Sequence, residues 1–547
     1  MRLVDRRIGL LFALFLLLLT VASIRAAWVG TVNAGSLKER AQTQQVEDLK
    51  VQARRGTISD RHGVDLAVSE DSVTVFANPL LIKNPASAAA KLAPLLGRPQ
   101  DELLEALANR KKGFVYLRRK MDASLGARIE KLDIEGIDTL VEPRRTYPQG
   151  PLAGQLIGAV GTDNVGLLGI EQEYEEKLHG SDGRRRLVKD AMGELVSIVE
   201  DERAEPGEDV RLTIDAALQE RAEAVMGEVA GAHRPRAATA VVMDPRNGDL
   251  LALCNWPRME PNDIGSAPAH ARQNRAVGAS FEPGSTFKAF TVAGALEEGV
   301  VKPETKLGLP PVLQVADREI GEPHDRGFVS LTVSDILAQS SNVGAATIGL
   351  RLGKDRFARW VRRFGFGRLT GVRLPGEAPG IVLPPERYSG SSLGNMAIGQ
   401  GLAVTPLQMA AGFSALAAGG VLHRPRVVAG EGRTGRRIIS PRTSAQVARM
   451  LEGVLGPGGT AEEAQVPGYR IAGKTGTAEK PDPETGGYSK FKFFSSFIGF
   501  APARSPRLLV AVMVDEPTGA YYGGEVAAPA FERIMEFALP YLRIPPG

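Results

Sequence analysis

The apolar positions change character along the chain. The first pattern is continuous: Ile8 to Ile24 holds no charge, and Arg25, Trp28 and Val29 follow it. Such a run is near the lower limit of about 17–25 residues for a bilayer-spanning helix, and with Arg25 snorkelling and Trp28 at the interface the span reaches Val29. A cleaved signal peptide is the rival, but its apolar core is usually only about 7–15 residues, so the length favours an uncleaved anchor. Ser36 to Arg55 is polar and helix-favouring and predicts a stalk. From Gly56 to about Arg203, short β-like runs such as Val73 to Phe76 mix with helical stretches such as Ala123 to Leu132, an α+β module. Glu205-Pro206-Gly207-Glu208 is a turn-rich break. Beyond it Val210 to Ile214 reads as a strand, and a helix opens at Asp215 as N-cap, with Leu218, Ala222 and Val225 on its apolar side. Ala238 to Met243 and Asp249 to Leu253 flank Asp244-Pro245-Arg246-Asn247-Gly248, a hairpin signal. A long helical middle and a strand-rich tail from Phe493 to Val514 complete the pattern. The predicted class is α/β (α+β): a tail over 1–7, a transmembrane helix over 8–29, an α+β domain over 30–205, and over 206–547 a domain whose antiparallel sheet is flanked by helices.

Composition narrows the chemistry. The chain has 547 residues, 43% hydrophobic, with 67 Lys+Arg against 63 Asp+Glu and a net charge of +4. Arg2, Arg6 and Arg7 against Asp5 supply half of that charge, and by the positive-inside rule they keep the N-terminus cytoplasmic. What remains is too little to predict a basic surface or a nucleic-acid partner. Cys254 is the sole cysteine, so no intramolecular disulfide and no Cys-based zinc site can form. The six histidines lie far apart without a His-x-x-x-His pair, which argues against a metalloenzyme.

Three patterns mislead. Gly468 to Thr475 fits the phosphate-loop spacing, but a charged, Pro-containing stretch precedes it, and Gly476, Pro481 and Pro483 deny it the helix that the mechanism needs. Gly390-Ser391-Ser392-Leu393-Gly394 fits a nucleophile elbow, but Pro384-Pro385 leads in and Gly399 and Gly401 follow, so a glycine-rich loop is the better reading. His324-Asp325 reads as an exposed loop pair rather than part of a triad.

A different constellation carries chemistry. Ser285-Thr286-Phe287-Lys288 follows Glu282-Pro283-Gly284, a helix-start signature, and the spacing places Ser285 and Lys288 on one helical face. Backbone N–H groups at a helix start suit an anionic intermediate. A serine hydroxyl needs a base, and Lys288 can serve only if its pKa falls from about 10.4 toward 7–8 through burial or a second cation. Ser340-Ser341-Asn342 and Lys474-Thr475-Gly476-Thr477 follow later. Lys474 is the candidate second cation and Ser340 a proton relay. Asn342 suits a substrate amide carbonyl, and Thr475 and Thr477 a carboxylate. Gly476, lacking a side chain, lets a substrate backbone lie against the strand.

Ser285 to Lys288, Ser340 to Asn342 and Lys474 to Gly476 resemble the three motifs of the penicillin-binding protein and serine β-lactamase superfamily. Arg55-Gly56-Thr57-Ile58-Ser59-Asp60-Arg61-His62-Gly63, Tyr147-Pro148, Gly169-Ile170-Glu171 and Leu212 to Asp215 resemble the class B penicillin-binding proteins, peptidoglycan D,D-transpeptidases with an anchor, a pedestal and a transpeptidase domain. Phe281-Glu282-Pro283-Gly284 and Asn342 resemble the septal, division-type members; the alternative is the elongation type. The resemblance implies that Ser285 attacks the penultimate D-Ala carbonyl of a stem pentapeptide, that Ser285 and Thr477 N–H groups form the oxyanion hole, and that β-lactams acylate the same serine. It further implies glycan strands derived from lipid II as substrate, a membrane glycosyltransferase and other divisome proteins as partners, and no metal or organic cofactor. It places the catalytic domain outside the inner (cytoplasmic) membrane. A β-lactamase, a β-lactam sensor and a silent scaffold are the rivals.

Overall fold

A computed structural model describes residues 2–31, 46–189, 195–324, 326–482 and 487–546. Helix α1 (Arg2–Thr31) extends beyond the predicted span at both ends, because nothing in either flank breaks a helix. Its stretch Ile8–Trp28 has a mean hydropathy of 2.4 and no buried residue, and is long and apolar enough to cross a membrane. The stalk expectation fails where it can be followed. Val46–Val51 is a strand, antiparallel to Gly183–Lys189, which pairs in turn with Leu195–Glu202. The partner is remote in sequence, and its ladder overrides a local helical preference. Residues 36–45 of that stalk lie outside the described residues, as does Asp325 of the His-Asp pair.

Two compact units emerge, each assembled from separate stretches of chain. One takes the chain up to Arg54, with Asp71–Arg144 and Gly180–Gly207. Its core gathers Val75, Leu92, Leu96, Leu103, Leu117 and Ile129 from strands and helices packed together, an α+β arrangement. Helix Pro85–Leu96 shows how the sequence sets its ends. Asn84 caps it by accepting from the Ser87 amide, and Gly97 closes it at φ 60°. The expected helix at Ala123 runs to Glu130.

The other unit takes Arg55–Glu70, Arg145–His179 and Glu208–Gly547. Its centre is an antiparallel sheet of β1 (Ala237–Met243), β2 (Leu250–Trp256), β3 (Ala472–Asp482), β4 (Gly487–Ala501) and β5 (Leu508–Asp515), in the order β2-β1-β5-β4-β3. The Asp244 hairpin joins β1 to β2 as expected, with Gly248 at φ 82°. Every residue of β1 and β5 is buried, so both faces of the sheet are covered, which is why these strands read as unbroken apolar runs. Helices α2 (Ala216–His233), α6 (Pro406–Ala417) and α7 (Ala528–Tyr541) supply much of that cover. Between them in sequence lie α3 (Lys288–Glu297), α4 (Val333–Ala338) and α5 (Asn342–Leu352). Strand β3 is an edge strand, so alternate backbone groups along it face away from the sheet.

The same unit holds a buried ion network. Arg55 Nε donates to Glu171 Oε2 at 2.9 Å, and Arg145 Nε to Glu171 Oε1 at 2.6 Å. Arg55 also donates to the Asn164 carbonyl, and the Tyr147 hydroxyl to Glu171. Arg55 and Glu171 have fully buried side chains. Arg55 also pairs with Glu175 at 2.8 Å, so replacing Glu171 with Ala would strand the buried Arg145 guanidinium and leave Arg55 one carboxylate, at a cost of about 3–5 kcal/mol. Urea unfolding should show that loss, and a change below about 1 kcal/mol would mean the network is not a major support.

Candidate active site

Ser285 sits in a tight turn, Gly284–Phe287, that runs directly into α3. Gly284 adopts φ 53°, which a glycine tolerates, and Thr286 Oγ1 locks the turn by donating to the Pro283 carbonyl at 2.7 Å. Phe287 anchors it to the core, packing on Phe290, Phe357 and Phe366. Thr286, Phe287 and Lys288 are buried, and Ser285 alone of the four is half-exposed. Ser285, Asn342, Asn395, Ile398, Gln400 and Thr477 line a cleft of about 160 Å³.

One turn on from the serine, Lys288 is fully buried, and its ammonium donates to the Ser340 carbonyl at 2.6 Å, Ser340 Oγ at 3.3 Å and Asn342 Oδ1 at 2.6 Å. Ser340 reaches this position at φ 60°, a conformation serine rarely adopts. Ser341 caps α5 by accepting from the Gly344 amide at 2.9 Å.

Two residues that the motifs do not include hold this turn. Glu322 accepts from Ser341 Oγ at 2.6 Å and from the Asn342 and Val343 amides at 2.8 and 3.2 Å, and it pairs with Arg326. Arg326 in turn donates to Ser341 Oγ at 2.7 Å. Burial lowers the Lys288 pKa to about 7, with the Glu322 carboxylate pushing it up and the Arg326 guanidinium pushing it down. Arg326 is therefore one cation acting on Lys288, and the expected one, Lys474, is coupled to it too, because the repulsion between the two lysines is mutual. Lys474 is itself fully buried on β3 and held well below the ordinary lysine range, by burial and then by the charge of Lys288.

The remaining expected residues divide between the cleft and its backing. Thr477 lines the cleft, and its Oγ1 accepts from the Gly523 amide at 2.9 Å. Thr475 is buried beside Lys474, with its Oγ1 2.6 Å from Thr460 Oγ1. Gly476 has a reason other than substrate access. A Cβ there would lie 2.4 Å from Ser496 Oγ and 2.9 Å from the Thr286 methyl, so the missing side chain is what lets β3 press against the serine turn. Lys474 continues into a strand, as the phosphate-loop reading required it not to. The Gly390 to Gly394 stretch does open a short helix, Ser392–Ala397, but no strand leads into it. That segment supplies Asn395, and Gln400 follows it. No local pattern marks either residue, since only the fold brings them opposite Ser285.

Residues 238–536 match the family described as the penicillin binding protein transpeptidase domain, and residues 50–212 match the penicillin-binding protein dimerisation domain. The chain belongs to the penicillin-binding protein transpeptidase family. Carrying both domains, it is a class B penicillin-binding protein and a peptidoglycan D,D-transpeptidase. It is 34% identical over 552 residues to a probable peptidoglycan D,D-transpeptidase PenA of Neisseria gonorrhoeae, covering 99% of this chain and 94% of that one. It is 32% identical to the peptidoglycan D,D-transpeptidase FtsI of Escherichia coli, covering 99% and 93%. Among solved structures, a Mycobacterium penicillin binding protein 3 complexed with aztreonam aligns with a TM-score of 0.72 and 29% identity over 91% of this chain and 98% of that one. The apolar helix α1 fits the membrane anchoring of such penicillin-binding proteins.

The electrostatics of Lys288 can be read directly. In protein carrying ¹³C-labelled lysine, the Lys288 signal should titrate with a midpoint of about 7. Arg326→Gln should raise that midpoint and Glu322→Gln should lower it, because each removes a charge acting in the opposite sense. A midpoint in the ordinary lysine range in all three proteins would refute this assignment.

Proposed function

We propose that this penicillin-binding protein cross-links stem peptides at the septum through a Ser285 acyl-enzyme. The observation that carries the reading is a fully buried Lys288 poised near neutrality one turn on from a half-exposed Ser285. Neutral Lys288 takes the Ser285 Oγ proton as that oxygen bonds to the penultimate D-Ala carbonyl carbon. The N–H groups of Ser285 and Thr477 hold the resulting oxyanion; losing one such donor typically costs about 10²–10³ in rate. As the intermediate collapses, the C–N bond to the terminal D-Ala breaks. The departing amine takes back the proton from Lys288, relayed by Ser340. An acceptor amine from a second stem peptide then attacks the ester, its proton leaves by the same route, and Ser285 is regenerated.

Asn342 orients the donor amide, while Thr475 and Thr477 receive the terminal carboxylate, with Gly476 keeping β3 close enough to serve them; buried Lys474 acts on the titration of Lys288. β-Lactams open on the same serine. Along the sequence the chain runs as tail (1–7), transmembrane anchor (8–29), pedestal (30–205) and transpeptidase domain (206–547), with residues 55–70 and 145–179 of the pedestal stretch packed into the compact unit of the last. Arg2, Arg6 and Arg7 hold the tail in the cytoplasm and leave catalysis outside the inner membrane. A membrane glycosyltransferase and other divisome proteins are its partners. Phe281 to Gly284 and Asn342 favour division over elongation.

Fluorescent penicillin should label the protein stably, Ser285→Ala should abolish labelling with the fold intact, and Lys288→Ala should slow it by about 10²–10⁴. The labelling rate should climb as pH rises through about 7, where Lys288 loses its proton. Rapid turnover of the adduct would point to a β-lactamase instead. Depletion in growing cells should give filaments, and rounded cells would assign elongation.

A further inference from the structure

A net charge of +4 predicts no basic surface, yet the fold concentrates arginine at one place that shares no lining residue with the cleft. A cavity of about 330 Å³ opens between helix Lys354–Arg363, the loop that follows it, and the antiparallel pair Val421–His423 and Gly435–Arg437. Arg362, Arg368, Arg424 and Arg436 line it, and among the described residues no Asp or Glu does. Arg362, Arg368 and Arg436 make no ion pair among the described residues. Arg436 donates only to the Arg363 carbonyl, at 3.0 Å. Arg424 reaches Glu431 at 3.4 Å outside the cavity lining, while its Nε is buried without a partner. Its stem runs beside the Gly371 backbone, where an added Cβ would come within 3.3 Å of Arg424 Cδ. The wall behind the guanidinium groups is apolar, formed by buried Phe364 and Ala411 and half-buried Leu422.

A cleft lined by one sign of charge focuses its field and concentrates ions of the opposite sign. Guanidinium forks match oxyanions in pairs of hydrogen bonds. One carboxylate has two oxygens and a single charge, too few for four guanidinium groups. A phosphate offers three oxygens and close to two charges. The apolar wall adds a place for a carbon skeleton, and the volume is at the small end of the range for organic ligands.

We propose that this cavity binds an organic phosphate, its oxygens on Arg362, Arg368, Arg424 and Arg436 and its apolar group against Phe364 and Leu422. The proposal does not depend on the acyl-enzyme reading. Its test titrates the full-length, detergent-solubilised protein with phenyl phosphate by calorimetry. One saturable site is expected, weakened by salt and weakened about tenfold or more in Arg368→Gln/Arg436→Gln. Both arginines are exposed, so the melting temperature and the rate of penicillin labelling should stay unchanged. Competition by dihexanoyl-phosphatidic acid, a phosphomonoester, would identify the source as a lipid headgroup. Competition by inorganic phosphate alone would identify a soluble phosphate ester, and either result supports the site. No saturable binding up to about 10 mM, or equal affinity in the double variant, would overturn it.

Discussion

Everything at the cleft depends on keeping one lysine dry. An ammonium removed from water loses several kcal/mol of solvation, and the loss is tolerable only where acceptors replace the water. Lys288 finds three, the Ser340 carbonyl, the Ser340 hydroxyl and Asn342 Oδ1. Supplying them forces Ser340 into a left-handed backbone, and that backbone is held by Ser341 capping α5 and by Glu322 binding the turn from outside. The strain at Ser340 is thus sustained by a carboxylate that never touches Lys288 through a hydrogen bond. Three acceptors suit the charged lysine; once it is neutral, one of its three N–H donors becomes a lone pair. A group balanced between the two forms can both take and return a proton.

The second constraint is steric. The serine turn is pressed from two sides by backbone that has no room for a side chain. Gly476 lets β3 approach Thr286 and Ser496, and at Gly399 a Cβ would lie 2.1 Å from the Gly284 carbonyl oxygen. Thr286 and Phe287 fasten the same turn from within. Ser285 is therefore carried on a rigid support rather than a flexible loop, so that little reorganisation remains when charge develops on the bound carbonyl. The turn packs on β3, β4 and the start of α3, elements of the same central unit.

The chemistry is legible in the sequence where it demands particular residues at short spacing. Ser285 with Lys288, Ser340 with Asn342 and Lys474 with Gly476 stand out from the residue pattern alone, as do the Asp244 hairpin and the Asp215 cap. Glu322, Arg326, Asn395 and Gln400 do not, because their roles arise from convergence of segments that nothing local connects. Two buried lysines do call for a compensating carboxylate, but that demand names no position. The strand at Val46 is hidden for the same reason, its partner lying beyond residue 180. Net charge misleads in another way: an average over the chain says nothing about four arginines gathered on one cavity.

The interrupted assignment of the chain to its two units has a kinetic consequence. Residues 55–70 and 145–179 belong to the unit whose sheet is finished only by β5, so early-made chain must wait for late-made chain. At about 5–20 residues per second of synthesis, that interval lasts tens of seconds. Arg55 and Glu171, 116 residues apart, must wait as well: until the surrounding core has formed, their pair is exposed and worth only about 0–1 kcal/mol, less than the closure of so long a loop costs. The network therefore locks the finished fold rather than guiding the nascent one.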